Sequence, residues 1–316
     1  MTRFLPDVRS VEEFARVVRD ENVLGPGVAR LVRELGVHAQ PERFATGSLP
    51  VYALGHELVL KLYAPYDHGE AAREARFLDV LDGRLPIATP KLHARGEFEG
   101  WGYVLMSRLS GELLVTACSR IERTGMRALV TDLGVTLRAL HALRDERLAG
   151  DRVDWPALVR ERQQSTLKLQ EQRGLSPEWL EQISDFLADE CPRLENAAAE
   201  APLHTEVMRE HLLVERRGSA WVLSGLFDFE PSIVGPVEYE FSAVGLFVSC
   251  GNRELLRDVL TAYGYSEHEL DHALERRLLA YALLHKYSNL PWYLSRIPPP
   301  AHVTELDGLA SHFFGV

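Results

Sequence analysis

The stretch LHTEVMREHLLVERRGSAWVLSGLFDFE, residues 203–230, decides the fold because it places polar residues at the ends of two short strands. Gly218 separates two apolar runs, and this pattern predicts a strand, a tight turn and a second strand. The triplet HTE and His211 precede the first strand, and Asp228 follows the second. A single aspartate at a strand end is usually a turn residue. The whole order of polar groups around two strands indicates a catalytic or binding loop.

Two residues upstream of this stretch also indicate a function. Lys61 lies in the apolar strand pattern VLKLY, where a lysine is costly unless it is paired or bound to a ligand. Glu74, in the helix that follows, is a candidate partner. Phosphoryl transfer needs a lysine on the nucleotide phosphates, a glutamate that supports it, a carboxylate near the acceptor hydroxyl and groups that carry metal ions. The order Lys61, Glu74, Glu206, Asp228 meets these needs.

The rest of the chain predicts an α+β fold with two lobes. Residues 42–63 and 91–109 hold β-rich runs with glycine and proline turns, one of them at Glu99-Gly100. Apolar residues spaced by three or four predict helices, over residues 11–18, 27–35, 68–81, 125–143, 155–170, 176–187, 238–250, 253–263 and 267–287. We therefore expect a small antiparallel sheet lobe with one central helix and an N-terminal helical extension, residues 1–107, and a larger helical lobe, residues 108–316.

Composition narrows the classes of function. The chain has 316 residues, of which 46% are hydrophobic and 26% charged, as in ordinary folded proteins. It has 35 Lys and Arg against 46 Asp and Glu, a formal net charge of −11. This balance argues against binding a nucleic-acid backbone, which needs clustered cations. It suits a cationic small molecule, although acidity serves solubility in most proteins.

Several other kinds of site are excluded by their missing motifs. The three cysteines, Cys118, Cys191 and Cys250, form no CxxC pair, which argues against a disulfide framework or a cysteine-rich zinc site. His204-x-Glu206 followed by His211 is not HExxH, and neither GxSxG nor a Walker A lysine motif occurs. No export signal and no run of about 20 apolar residues is present. We expect a cytoplasmic protein, a monomer or weak dimer, without membrane or nucleic-acid partners.

Taken together, these stretches resemble the aminoglycoside phosphotransferase family, which has the protein-kinase-like fold. The resemblance covers residues 46–287, and within the family it is greatest to hygromycin B phosphotransferases. The matching stretches are GSLPVYALGHELVLKLY, EARFLDVLDGRLPIATPKLHARGEF, YVLMSRLSGELL, LGVTLRALHAL, LHTEVMREHLLVE and LSGLFDFEPSIVGPVEYEFSAV. This resemblance implies a two-lobed, kinase-like enzyme that uses ATP or GTP with Mg²⁺.

The resemblance also implies roles for residues of the first lobe. Lys61 contacts the nucleotide phosphates and Glu74 supports the lysine. Met106 and Ser107 form the hinge that touches adenine through its backbone. Gly47 and Ser48 lie in the loop over the phosphates, although this loop is not a GxGxxG motif.

The catalytic loop departs from the family pattern His-Gly-Asp-Leu-His-x-x-Asn. Glu206 occupies the position of the catalytic aspartate, and His211 occupies that of the metal-binding asparagine. Asp228 keeps the family's metal-binding aspartate. The extra methylene of Glu206 displaces its carboxylate, and a misplacement of about 1 Å can cost about 100-fold in rate. Because Mg²⁺ prefers oxygen ligands, His211 favours Mn²⁺, or hydrogen-bonds the loop and leaves the metal to Asp228.

We therefore predict transfer of a γ-phosphoryl group to a hydroxyl of a small, cationic acceptor, an aminoglycoside such as hygromycin B. Glu206 and Asp228 are the predicted catalytic residues. Glu230 is a candidate substrate contact, whereas Glu240 occupies a structural position. His285 either lines the acceptor site or lies on a solvated helix face. The alternatives are a nucleotide-binding pseudokinase with a degraded loop, and a kinase for a metabolite that is not an aminoglycoside.

Overall fold

The computed structural model describes residues 3–197 and 200–316 and shows two compact units. The chain up to Ser110 forms the first unit together with the returning segment Gly225–Pro231. The second unit comprises Gly111–Ser224 and Ser232–Val316. The sequence predicts a boundary after Ser107, with everything beyond it in the second lobe. The return of residues 225–231 to the first unit was not foreseen.

The first unit contains a five-stranded antiparallel sheet with the order β1-β2-β3-β5-β4. Its strands are β1 (Pro41–Arg43), β2 (Val51–Leu54), β3 (Leu58–Tyr63), β4 (Leu92–Phe98) and β5 (Trp101–Ser107). Glu99 and Gly100 join β4 to β5 with φ angles of 52° and 90°. Positive φ at both positions of a two-residue turn matches the twist of a hairpin. The predicted hairpin and its turn are therefore confirmed.

Three helices accompany this sheet: α1 (Val11–Val17), α2 (Glu21–Glu34) and α3 (His68–Leu81). Leu24, Val28 and Leu31 of α2 share a buried apolar core with Leu60 and Trp101 of the sheet. The helix α3 has the bounds that its apolar spacing predicts. In contrast, α2 begins six residues before the prediction, because Gly25 and Pro26 interrupt the pattern in its first turns.

The second unit contains two small antiparallel sheets. One has the order β6-β8-β9 and comprises β6 (Glu112–Leu113), β8 (Leu212–Arg217) and β9 (Ala220–Leu226), whose last two residues belong to the first unit. The other pairs β7 (Glu200–Leu203) with β10 (Ile233–Pro236). The strands flanking Gly218 are confirmed. The three shorter strands β6, β7 and β10 were missed because they are too short to show alternation.

Nine α-helices form most of the remainder of the second unit as the structure describes it. They are α4 (Leu114–Ala117), α5 (Arg123–Ala142), α6 (Trp155–Gln172), α7 (Pro177–Glu195), α8 (Glu238–Ala243), α9 (Arg253–Tyr263), α10 (His272–Leu284), α11 (Leu290–Arg296) and α12 (Leu306–Phe314). A π-helical segment, Val244–Ser249, continues α8. The predicted start of α10 at residue 267 is wrong. Ser266 donates to Glu269 in a separate turn, and Asp271 caps the helix.

The predicted fold class is confirmed: an antiparallel sheet unit and a mainly helical unit in one α+β chain. Within residues 3–197 and 200–316, no helix combines the length and the apolar character needed to cross a membrane.

Candidate active site

The first unit contains a buried lysine surrounded by three carboxylates. Lys61, on β3, is 4% exposed. Its Nζ atom lies 3.1 Å from Oε2 of Glu74 and 2.5 Å from Oε2 of Glu230, and it also contacts Oδ1 of Asp228. The structure therefore brings together Lys61, Glu74, Asp228 and Glu230. The sequence predicted each of these as a site residue. We call these four residues the lysine cluster.

The returning segment 225–231 contacts α3 and the loop that follows α3. The Leu226 amide donates to the Ala88 carbonyl at 3.0 Å. The Phe229 ring stacks on Phe77 of α3, and the Phe229 amide donates to Oε1 of Glu74 at 3.1 Å. One glutamate therefore binds the lysine through one oxygen and the backbone of the Asp228 loop through the other.

Backbone conformation further defines the position of Asp228. Its φ angle is 76°, in the left-handed region that aspartate adopts more readily than most residues. The Arg73 guanidinium donates to the Glu230 carbonyl at 3.2 Å and fixes the loop on its other side. The loop therefore presents the side chains of Asp228 and Glu230 toward the same ammonium group.

The neighbouring carboxylates keep the Lys61 ammonium group protonated. Burial alone would lower the pKa of Lys61, but the three carboxylates outweigh it and hold the pKa well above its usual value. Burial raises the pKa of Glu230 to about 8, against the opposing effect of Lys61. Oxygens of Glu74, Asp228 and Glu230 lie within 4.8 Å of one another. A set of carboxylate oxygens at this spacing is the type of ligand that Mg²⁺ prefers.

The second unit contains the loop that carries Glu206. The two amides before it donate to the buried carboxylate of Glu240, His204 at 2.6 Å and Thr205 at 2.8 Å. His141 lies 3.4 Å from the same carboxylate. Glu240, on α8, is 0% exposed, which confirms its structural interpretation. Its position in the helix fixes the backbone that leads into Glu206.

Thr205 has an unusual conformation for a β-branched residue. Its φ angle is 70°, and the residue is 3% exposed. Its carbonyl accepts a hydrogen bond from the ring of His285. Because Nδ1 of His285 accepts from the Tyr287 amide at 3.2 Å, Nε2 is the donor to Thr205. The amide of Thr205 is thus held by Glu240 and its carbonyl by His285.

Glu206 and His211 are joined through the backbone. Nδ1 of His211 lies 2.8 Å from the Glu206 carbonyl, so the neutral ring that donates there keeps its lone pair on Nε2. The Glu206 amide donates to Nδ1 of His204 at 3.3 Å. A hydrogen bond from His211 to the loop was one of the alternatives considered from the sequence. Metal binding by His211 stays a prediction.

The remaining predicted nucleotide contacts occupy two parts of the first unit. Gly47 and Ser48 lie in the exposed loop between β1 and β2, where Gly47 has a φ angle of 116°. Met106 and Ser107 end β5. The Ser107 amide donates to the Lys91 carbonyl at 2.9 Å, so an adenine contact would use other backbone groups of this segment. Their roles in nucleotide binding stay predictions.

Sequence reasoning missed two features of the Glu206 loop. His285 was assigned most simply to a solvated helix face, but it follows the last residue of α10 and contacts Thr205. Thr205 was not singled out, although it stands where the family pattern has glycine. A glycine in a family motif commonly marks a left-handed residue, and that signal was available from the sequence.

Comparison of the sequence with protein families gives a match over most of the chain. The profile of the phosphotransferase enzyme family matches residues 42–278. The chain belongs to this family, and the prediction that it is a phosphotransferase is confirmed. Comparison with curated proteins gives no significant match.

Solved structures with a similar fold are aminoglycoside phosphotransferases. The GDP and kanamycin complex of APH(2")-IIia has a TM-score of 0.71 and 13% identity, covering 90% of this chain and 99% of that one. ADP-bound APH(2'')-Ib has a TM-score of 0.60 and 15% identity, with coverages of 91% and 98%. APH(3'')-Id from Streptomyces rimosus ATCC10970 has a TM-score of 0.57 and 16% identity, with coverages of 81% and 97%. At these identities the likeness establishes the fold.

Proposed function

We propose that this chain transfers the γ-phosphoryl group of ATP or GTP to a hydroxyl group of a small molecule. The observation that carries the proposal is the lysine cluster, in which a buried ammonium meets the carboxylates that phosphoryl transfer requires. The similar structures contain GDP or ADP, and this supports nucleotide binding by this chain.

Lys61 binds and neutralises the transferring phosphates, because it is the buried cation of the cluster. Glu74 orients the lysine through one oxygen and holds the Asp228 loop through the other. Asp228 holds Mg²⁺ or Mn²⁺, assisted by Glu230, since their oxygens fit a divalent cation. A divalent metal held there would reduce the negative charge of the phosphates.

Glu206 acts on the acceptor. Its carboxylate orients the hydroxyl and accepts its proton as the oxygen attacks the γ-phosphorus atom, while the bond from that phosphorus to the bridging oxygen breaks and ADP or GDP leaves. The backbone before it is fixed by Glu240 and His285, so the longer arm of a glutamate starts from a fixed position. This preorganisation offsets the misplacement expected from the extra methylene.

Two classes of acceptor are candidates. The kanamycin bound to a similar structure favours an aminoglycoside, and hygromycin B belongs to that class. Arginines near the Glu206 loop favour a metabolite that is not an aminoglycoside.

Nucleotide turnover tests the proposal through Asp228→Asn. Measured with ATP and Mg²⁺ over a panel of hydroxyl acceptors, this variant should lose at least about 100-fold in kcat, because one metal ligand is removed. Asp82→Asn, an exposed aspartate of the same unit, serves as the matched control and should keep full turnover. Unchanged turnover in Asp228→Asn would contradict the assignment.

A further inference from the structure

The surroundings of the Glu206 loop in the second unit are rich in arginine. This matters because the predicted acceptor is a cation, and arginines would repel it. The inference below rests on the proposed function, since it concerns the acceptor of that reaction. The helix α6 packs along the segment following α10.

One face of α6 follows residues 283–290 closely. The Thr166 hydroxyl oxygen lies 3.3 Å from the Leu283 carbonyl oxygen. One turn later, Gln170 donates to Ser288 at 2.8 Å and accepts from the Leu290 amide at 2.9 Å. Both α6 residues are buried. This face of α6 is therefore fixed against the segment that contains His285.

Arg162 lies on the same face, one turn before Thr166. The Thr166 hydroxyl donates to the Arg162 carbonyl at 2.7 Å, as expected for residues four apart. The Tyr239 and His285 rings stack with their centroids 5.4 Å apart, and the charge of Arg162 acts to lower the pKa of both. His285 in turn donates to the Thr205 carbonyl, immediately before Glu206. Arg162 thus belongs to the immediate surroundings of the loop.

One nitrogen of the Arg162 guanidinium lacks a hydrogen-bond partner. Its Nε atom is buried and has no hydrogen-bond partner. Considering residues 3–197 and 200–316, no carboxylate pairs with it. In contrast, Arg160, two residues earlier on α6, pairs with Glu195 at 2.6 Å. A buried donor without a partner is unfavourable, so a ligand oxygen at Arg162 would complete it.

Further arginines near the loop contact partners that carry no negative charge. Arg173 donates to the Tyr287 carbonyl at 3.0 Å, and Arg209, within the loop itself, donates to the Val248 carbonyl at 2.9 Å. Arg296 lies over the Trp292 ring at 5.7 Å. Carbonyls and rings do not neutralise a guanidinium.

The nearby carboxylates do not balance these arginines. Glu240 is fully buried and already accepts two backbone amides and contacts His141. Glu206 and Glu210 are the remaining acidic residues of the loop. The excess acidity of the chain, −11 overall, is therefore not gathered here.

We infer that the acceptor carries an anionic group, a carboxylate or a phosphate, beside the hydroxyl that is phosphorylated, and that Arg162 binds this group. Arginine suits the role because its planar fork pairs with both oxyanions in a bidentate manner. Arg162 is a specificity residue in this account, and Glu206 remains the group that acts on the hydroxyl.

Three sugars of similar size and different charge test the inference: D-glucuronate, D-glucose and D-glucosamine. Acceptor KM is measured with ATP and Mg²⁺, and Kd by calorimetry gives the same ranking where turnover is slow. The wild type should prefer glucuronate over glucose by about tenfold, the effect of one charge-assisted contact, and glucosamine should be poorest. Arg162→Gln should remove the preference, and Arg162→Glu should reverse it in favour of glucosamine.

Arg160→Gln is the matched control on the same helix and should keep the wild-type ranking. An unchanged ranking in Arg162→Gln, equal use of the three sugars by the wild type, or a wild-type preference for glucosamine would overturn the inference. Because Arg162 acts on the acceptor, the KM for ATP should stay the same in all variants. Absence of ATP turnover in the wild type would instead contradict the proposed function, and the calorimetric ranking would still decide about Arg162.

Discussion

Thr205 holds a left-handed backbone conformation directly before the residue that acts on the acceptor. With a φ angle of 70° and a branched Cβ, it adopts a conformation that costs about 1–2 kcal/mol for ordinary residues. Glu240 and His285 hold its two backbone groups, so the surrounding structure maintains the strain. A fixed, strained residue at this point leaves the Glu206 backbone little freedom.

Replacing Thr205 tests the strain directly. Thr205→Gly should be more stable than Thr205→Ala by about 1 kcal/mol, because glycine adopts positive φ without steric cost. Both variants lose the hydroxyl and the branch, so their difference isolates the backbone conformation. Urea unfolding measures it. An alanine variant as stable as the glycine variant would show that the left-handed conformation carries no strain.

His285 should make stability depend on pH. Burial lowers its pKa to about 4, whereas an unfolded histidine titrates near pH 6.5. Between these values the unfolded state binds the extra proton, so stability should be lost as pH falls from about 6.5 toward 4. The full effect of such a shift is about 3 kcal/mol, and we expect less because part of His285 remains exposed.

His285→Gln is the variant that checks this dependence, because glutamine can still donate to the Thr205 carbonyl but does not titrate. Its unfolding free energy, measured by urea titration at several pH values, should vary less than that of the wild type between pH 4 and 6.5. His93→Gln, at an exposed position of β4, should leave the wild-type profile unchanged. Parallel profiles for the wild type and His285→Gln would contradict the expectation.

All four residues of the lysine cluster could be identified from the sequence, because their order along the chain and the resemblance to the family indicate them together. A lysine in an apolar strand and an aspartate at a strand end depart from the surrounding pattern. His285 and Arg162 do not stand out in this way, since both lie at helix positions where polar residues are ordinary. Their importance arises from contacts between segments far apart in the chain, which no local pattern contains.

At the scale of elements, α8 supports the Glu206 loop through one side chain. The carboxylate of Glu240 accepts hydrogen bonds from the amides of His204 and Thr205 at a fully buried position. Glu238, on the same helix, pairs with Arg277 through two bonds of 2.8 and 2.9 Å and is partly exposed. These two glutamates permit a comparison of the same substitution in a buried and a partly exposed setting.

Glu240→Gln should destabilise the chain by about 2 kcal/mol, because its amide group turns a donor toward backbone donors that need an acceptor. Glu238→Gln should cost less than about 1 kcal/mol, as is usual for pairs near the surface. Chemical denaturation measures both. Equal losses would mean that the Glu240 contacts contribute no more than a surface ion pair.

Apolar periodicity predicted the elements that bury one continuous face. The bounds of α3 and α9 agree with it because their apolar residues recur regularly, and Asn252 caps the start of α9. It extended α10 too far, since Ser266 and Glu269 resemble a helix start but form a turn of their own. The short helices α11 and α12 were not predicted, because seven and nine residues are too few to show the helical period of apolar residues.

At the scale of the whole molecule, net charge could be read from the sequence but its distribution could not. The value of −11 agrees equally with an acidic acceptor site and with a solvated surface. Folding places Asp228 and Glu230 with Lys61 in the first unit and leaves arginines near the Glu206 loop in the second. The acidity therefore does not support a cationic acceptor.

The same charges predict how nucleotide binding depends on metal. ATP is a polyanion, the chain carries −11, and Lys61 is the one ammonium among three carboxylates in its cluster. Without a divalent ion, the phosphates would meet more negative than positive charge. ATP with Mg²⁺ should therefore raise the melting temperature by about 5 °C at 100 times Kd, and ATP with a chelator should raise it little.

Asp228→Asn separates the enzyme from the pseudokinase alternative in this melting experiment. Because it removes a metal ligand, the variant should lose most of the Mg²⁺-dependent shift, while Asp82→Asn should keep it. A shift that is equal with Mg²⁺ and with a chelator would favour a nucleotide-binding protein that transfers no phosphate, since phosphoryl transfer by this cluster requires the metal to reduce the phosphate charge. No shift under either condition would contradict both functions, because each requires nucleotide to bind the folded chain.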